Sequence, residues 1–212
     1  MVEIITEGIY KYYGETPIIQ NLSVNIKTPD AVWIAGANGR GKSTLLSLLS
    51  GLRSAEKGKI IFKKDDKVIN AEQFSRIISI AAPYQGLPDW LTLSEIVEFH
   101  GAMRGWRPGY SARDVISLSQ LEGHLNKSVA QLSSGLRQRL RLALAWFADS
   151  EAIFLDEPCA HLDKGGEHWY LEFYNTFGKD KLVVVCSNNT KVERAFCNVK
   201  IDLDIGGYFV YF

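Results

Sequence analysis

The chain has 212 residues, enough for one domain or one domain with a subdomain, and its apolar fraction of 46% can fill a core. Lysine plus arginine and aspartate plus glutamate stand at 24 each, so the formal net charge is zero, which argues against a large nucleic-acid footprint. No apolar run approaches the roughly 20 residues of a membrane span, and the N-terminus lacks a basic stretch followed by a long apolar one. Any work at a membrane would need another chain to cross it.

Residues 2–10 and 18–26 read as two strands, with Gly14-Glu15-Thr16-Pro17 as the turn between them. Tyr10 and Tyr12 are expected as half-buried strand residues, whereas an aromatic ring on the turn can stack on a purine base. Ala31-Val32-Trp33-Ile34-Ala35 is a short apolar strand. Directly after it, Gly36-Ala37-Asn38-Gly39-Arg40-Gly41-Lys42-Ser43-Thr44 fits G-x-x-x-x-G-K-S/T, and the leucines from Leu45 to Leu49 suit a helix. This strand–loop–helix context is what a phosphate-binding loop requires. Three glycines let backbone N–H groups converge on one anion, and the helix N-terminus adds its positive dipole end. Lys42 would reach the β- and γ-phosphates and the Ser43 hydroxyl would ligate Mg²⁺. Gly51 fits a helix stop.

Strands are expected at 58–62 and 76–81. From Gln85 to Gln131, Gly86, Pro88, Gly105, Pro108 and Gly109 break the chain into short helices, one over 93–103 and one over 111–121. His100, alone on an apolar face, reads as a core or boundary residue. Arg104-Gly105-Trp106-Arg107-Pro108 reads as a loop without assigned chemistry. Leu132-Ser133-Ser134-Gly135 opens a long helix reaching about Ala148, with Leu136, Leu140, Leu144 and Phe147 as its buried stripe and Arg137, Arg139 and Arg141 as a polar face. Its N-terminus is either a plain serine cap or an anion site. Ala152-Ile153-Phe154-Leu155 is a buried parallel-type strand that ends in Asp156 and Glu157. Acids at that end face the ligand crevice of an open α/β sheet, where one carboxylate can hold Mg²⁺ and a second can deprotonate an attacking water. A further buried strand over 181–186 leads to Ser187-Asn188-Asn189, and two short strands flank Gly206-Gly207. The odd cysteine count and the absence of metal-ligand spacing point to free thiols in a reducing cytosol for Cys159, Cys186 and Cys197.

Taken together, the loop at 36–44, Gln85 after a strand, Leu132-Ser133-Ser134-Gly135, Phe154-Leu155-Asp156-Glu157-Pro158 and His161-Leu162-Asp163 resemble the nucleotide-binding subunit of an ATP-binding cassette (ABC) transporter. The resemblance covers essentially the whole chain. It implies an α/β P-loop NTPase core with a mostly parallel sheet, an antiparallel β subdomain carrying residues 1–30, and an inserted helical subdomain. The core lobe would span about 1–84 and 132–212, and the helical lobe about 85–131. It also implies a head-to-tail dimer, a homodimer by expectation, with ATP between the phosphate loop of one subunit and the signature of the other. A membrane-spanning transporter subunit would act in trans and hold the chain at the cytoplasmic face of the membrane.

Residue by residue, the resemblance makes Tyr13 the adenine-stacking aromatic. Gln85 would touch Mg²⁺ and the attacking water and link the lobes. Ser133, Ser134 and Gly135 would meet the partner-bound γ-phosphate, Asp156 would support Mg²⁺, and Glu157 would be the general base. Asp163 lies in the loop that would cross the dimer interface. Three departures stand out: Leu-Ser-Ser-Gly-Leu replaces Leu-Ser-Gly-Gly-Gln, His161 replaces a small residue, and Asn188 stands at the place of the family's switch histidine. Asparagine cannot become cationic, so slower hydrolysis than in a histidine-bearing relative is expected. The compact length resembles exporter-type subunits such as those of haem export or drug and lipid efflux, but some importers are also compact, so the direction of transport stays open. Other classes include an ATP-dependent clamp that scarcely hydrolyses, favoured by Asn188 and opposed by Glu157. A soluble ABC protein acting on ribosomes or DNA is opposed by the single cassette and zero net charge.

Overall fold

The structure is a computed structural model, and it describes residues 1–188, 191–204 and 208–211. The expected continuation at Asn189 and the turn at Gly206-Gly207 lie outside the described residues. In chain order the elements are β1 (Val2–Tyr13), β2 (Thr16–Lys27), β3 (Ala31–Ala35), α1 (Lys42–Leu49), β4 (Lys57–Lys64), β5 (Lys67–Ile69), α2 (Ala71–Arg76) and β6 (Ile78–Ala81). There follow α3 (Leu93–Arg104), α4 (Ala112–Leu118), α5 (Ser134–Phe147), β7 (Ala152–Asp156), α6 (Lys164–Phe173), β8 (Leu182–Cys186), β9 (Val199–Asp202) and β10 (Tyr208–Tyr211).

The strands form two sheets. One is antiparallel with order β2-β1-β4-β5, and the other has six strands in the order β10-β9-β3-β8-β7-β6. Within the larger sheet β9, β3, β8, β7 and β6 run parallel, and only β10 is antiparallel to its neighbour. The central strands are buried along their whole length, which is why they read as unbroken apolar runs. Their two faces feed two separate cores. Ile153, Leu155, Val183 and Val185 point to a cluster shared with α3, α4, α5 and α6. Phe154, Leu182, Val184, Cys186, Val32 and Ile34 point the other way, to α1 and the antiparallel sheet. The alternation is the period of two that a strand imposes.

This layering corrects several expectations. Residues 71–76 are a helix, opened by a capping box in which Asn70 and Gln73 exchange side-chain and backbone bonds, so the strand expected from Arg76 starts at Ile78. The hairpin partner β5 escaped the pattern because three residues, two of them exposed, carry no periodic signal. The three arginines of α5 do not share a face. Arg139 stacks over Trp169 at 5.3 Å and donates to Gln120, while Arg141 donates to Gln138 and lines the cleft between α3 and β6. On a helix only residues three or four apart are neighbours, so Arg137 and Arg141 can share a stripe and Arg139 cannot. His100 is a boundary residue as expected, stacked on Trp106 at 5.3 Å. Trp106 itself bridges to Ala148, which ties the loop after α3 to the end of α5.

Candidate active site

Parallel strands send their carboxyl ends to one edge of the sheet, and four of the expected groups arrive there together. Register places Ile34 of β3 beside Cys186 of β8, and Cys186 beside Asp156 of β7. The phosphate loop, the Asn188 segment and the acid pair therefore leave three consecutive strands side by side.

The loop's form follows from its glycines. Gly41 sits at φ +90°, and a Cβ there would lie 2.3 Å from the Ile18 side chain, so this position requires glycine twice over. Gly41 offers no side-chain cap to α1, and the first N–H groups of that helix remain available to an anion. Lys42 is buried, and its ammonium donates to the carbonyls of Gly36 (2.9 Å) and Ala37 (3.1 Å), folding back over the loop. The loop is also strapped from outside. Asp204, just beyond β9, accepts from Ala37 N–H at 3.1 Å and from Arg40 Nε at 3.1 Å. Asn38 and Gly39 are exposed in the open middle of the loop, and Thr44 borders a small cavity with Ser43 and Tyr13.

Asp156 is 4% exposed and accepts a hydrogen bond from the Ser43 hydroxyl. Burial pushes its carboxyl above the usual range; the Ser43 bond and the Lys42 charge oppose that, and the Glu157 charge adds to it. A hydroxyl and a carboxylate in contact are hard oxygen donors of the kind Mg²⁺ takes. Glu157 adopts φ +47°, a left-handed conformation uncommon outside glycine, asparagine and aspartate, and its N–H donates to Cys186 O at 3.0 Å. Its carboxylate accepts from the Asn188 amide. Asn188 thus meets the general-base candidate directly.

The signature lies at the exposed N-terminus of α5. Ser133 accepts from Leu136 N–H at 3.2 Å as the cap, while Ser133 and Ser134 stay exposed. Capping and exposure coexist, so the two readings of these serines are not exclusive. A Cβ on Gly135 would lie 2.9 Å from the His161 carbonyl oxygen, which explains why that position is glycine and packs the signature against the segment before Asp163. Asp163 caps α6, accepting from Gly166 N–H at 2.7 Å. Tyr13 ends β1 at 49% exposure, with the Arg53 guanidinium 5.7 Å from its ring centre. Tyr10 and Tyr12 are half-buried and stacked on each other.

Gln85 is not gathered with these groups. It lines the cleft between α3 and β6, while its neighbour Tyr84 lines the cavity beside Ser43. Three supporting residues carry no sequence signal of their own. Glu193 is buried, accepting from Cys159 N–H at 2.9 Å and from the Ser187 hydroxyl, which locks the segments after β7 and β8 together. Gln138 donates to Pro158 O at 2.9 Å and so fixes α5 to the turn after Glu157. Asp204 straps the phosphate loop as described. The three cysteines are free, with Cys159 and Cys186 buried.

A phosphate loop, an acid pair at the next-but-one strand end with Asp156 buried, and a separate exposed helix N-terminus define a P-loop ATP-binding cassette. The ABC transporter family model matches residues 19–160, and the chain belongs to that family. It is 34% identical over 151 residues to the cytochrome c biogenesis ATP-binding export protein CcmA of Xylella fastidiosa, covering 71% of this chain and 67% of that one. It is 29% identical over 187 residues to the sulfate/thiosulfate import ATP-binding protein CysA of Halalkalibacterium halodurans, covering 83% of this chain. The match takes in 52% of that relative, so the chain spans about half its length. Among solved structures, a dimeric bacterial ABC transporter cassette superposes with TM-score 0.78 at 25% identity, covering 94% of this chain and 93% of that one. A post-hydrolysis cassette dimer bound to ADP and Pi superposes with TM-score 0.83 at 24% identity over 98% of both chains, a likeness of fold.

Proposed function

We propose that the chain binds and hydrolyses ATP as a head-to-tail dimer and thereby drives a separate membrane-spanning transport subunit. The observation that carries this is the meeting of Ser43, Asp156, Glu157 and Asn188 at one sheet edge, beside the phosphate loop. Tyr13 would stack on adenine, its ring left open at the end of β1. The N–H groups of residues 36–44 and Lys42 would hold the phosphates. Ser43 and Asp156 would hold Mg²⁺, which when bound supplies positive charge against the phosphate oxygens. Glu157 would take the proton of the attacking water, its carboxylate aimed by the Asn188 amide. Ser133, Ser134 and Gly135 would close on ATP bound to the second subunit, because their helix N-terminus has no acceptor of its own beyond the Ser133 cap.

Residues 85–131 would form the lobe that meets the membrane subunit, which would hold the chain at the inner face of the cell membrane. Trp90 is 79% exposed, and the cleft between α3 and β6, about 470 Å³, is lined by Leu52, Leu87, Phe99, Met103 and Arg141. Leu87 and Leu91 pack partly on the core, so Trp90 and Phe99 are the cleaner docking groups. Among the described residues no helix is long and apolar enough to cross a membrane. Relatives named as importers and as exporters share this cassette, so the reading concerns the motor common to both.

The test is steady-state ATP hydrolysis by the purified chain, alone and with its membrane partner, beside Glu157→Gln. Turnover that vanishes in the variant while ATP binding survives supports the reading. A wild type no faster than Glu157→Gln in both settings would instead favour an ATP-dependent clamp, the reading to which the neutral Asn188 points.

A further inference from the structure

The turn that follows β6 is tight, closed by the Gln85 N–H donating to Ala82 O at 3.0 Å. It sends two adjacent side chains to different places. Gln85 lines the interlobe cleft with Leu52, Phe99, His100 and Met103. Tyr84 lines a cavity of about 250 Å³ with Tyr13, Ser43, Thr44, Ser47 and Arg53. The Tyr84 hydroxyl is 3.3 Å from Ser47 Oγ, and Ser47 Oγ donates to the Ser43 carbonyl at 2.8 Å, one helical turn back. Burial raises the Tyr84 phenol above its ordinary value, the Ser47 bond opposes this, and the Asp156 charge adds to it. Tyr84 as a whole is 51% exposed.

We infer that Tyr84, not Gln85, is the positioning residue that the segment after β6 presents to the metal and phosphate side of the site. The inference rests on the reading of this chain as a Mg·ATP enzyme. A phenol hydroxyl both donates and accepts, which is what a group steadying the hydration of a Ser43- and Asp156-bound cation must do. A carboxamide has the same versatility, but here the Gln85 carboxamide stands in the other cleft. Partners one step removed from a metal typically matter by about 10- to 100-fold in affinity or activity.

The experiment compares wild type, Tyr84→Phe and Gln85→Ala for ATP affinity with Mg²⁺ and with EDTA, for kcat and KM over a Mg²⁺ series, and for Tm. Tyr84→Phe keeps the ring and removes only the hydroxyl. The expected result is an Mg²⁺ half-saturation point raised about tenfold and a lower kcat, with ATP affinity in EDTA unchanged. The Gln85→Ala change in Mg²⁺ dependence should be the smaller of the two. A Tyr84→Phe that loses only Tm, with wild-type Mg²⁺ dependence, would show a mere prop for α1 and overturn the inference. So would a larger shift in Gln85→Ala. A wild type that binds no ATP under either condition would take down the ATPase reading itself, a result distinct from either of these.

Discussion

At the residue scale the site is a balance of buried charge and fixed donors. Asp156 is held below the surface with its carboxyl raised by burial, so ionising it in the folded chain costs more than in the unfolded chain. The unfolded acid ionises first as pH rises through its ordinary value of 3.8, so this group subtracts stability above that pH and nothing well below it. Asp156→Asn is therefore expected to raise Tm at neutral pH while abolishing metal-dependent turnover, and the gain should shrink as pH falls toward 3.8 and be gone below it. Thermal melts of both chains across pH 3.5–7.5 check it. Asn188 makes the opposite trade. Its amide can steady Glu157 but carries no charge toward the γ-phosphate, and a charge-assisted bond is roughly twice as strong as a neutral one. Asn188→His should raise kcat several-fold with little change in KM; unchanged turnover would remove Asn188 from the mechanism. Most of this site could be read from the chain because its residues sit at fixed offsets from strand ends. Tyr84 against Gln85 could not, since one turn decides which of two neighbours lines the cavity beside Ser43. Glu193 could not either, because it joins two loops far apart in sequence.

At the scale of elements, α3 and the loop after it meet in an aromatic pair. His100 lies on Trp106, and a Cβ on Gly101 would lie 2.2 Å from the indole nitrogen of Trp106. Alanine at 101 would gain about 1 kcal/mol of helix propensity, but overpacking against a ring costs about 1–3 kcal/mol, so the clash prevails. Gly101→Ala should lower stability by about 1–2 kcal/mol in denaturant titrations. Burial and the nearby Arg104 charge lower the His100 pKa from 6.5 to about 4. The unfolded histidine takes its proton first as pH falls, so stability drops between about pH 6.5 and 4, by something of the order of 3 kcal/mol. His100→Gln, which cannot ionise, should flatten the stability curve in that window. The helices here were legible from their period, and α3 runs only one residue past its expected end. The Trp106 contact was not, because Arg104-Gly105-Trp106-Arg107-Pro108 has loop composition and its anchoring comes from the distant Ala148.

At the scale of the whole molecule, the phosphate loop and the signature are both exposed, and each presents N–H groups without an internal acceptor for all of them. The phosphate loop follows β3 and the signature opens α5, two elements that share no core cluster. One chain so arranged offers two half-sites for anions, and two chains head to tail would join each loop to the other's signature. That arrangement predicts second-order behaviour. Specific ATPase activity should rise with protein concentration at low concentration and then level off, whereas a self-sufficient monomer would give a flat line. Mixing Lys42→Ala with Ser133→Arg should distinguish the two further. In a head-to-tail dimer the first variant lacks a working loop and the second a working signature, so a mixed pair keeps one complete composite site. Activity should recover to no more than about a quarter of wild type if half the dimers are mixed and each uses one of its two sites. Two inactive variants that stay inactive when mixed, despite forming mixed dimers by cross-linking, would mean that each chain needs both of its own half-sites, and the composite site would fall.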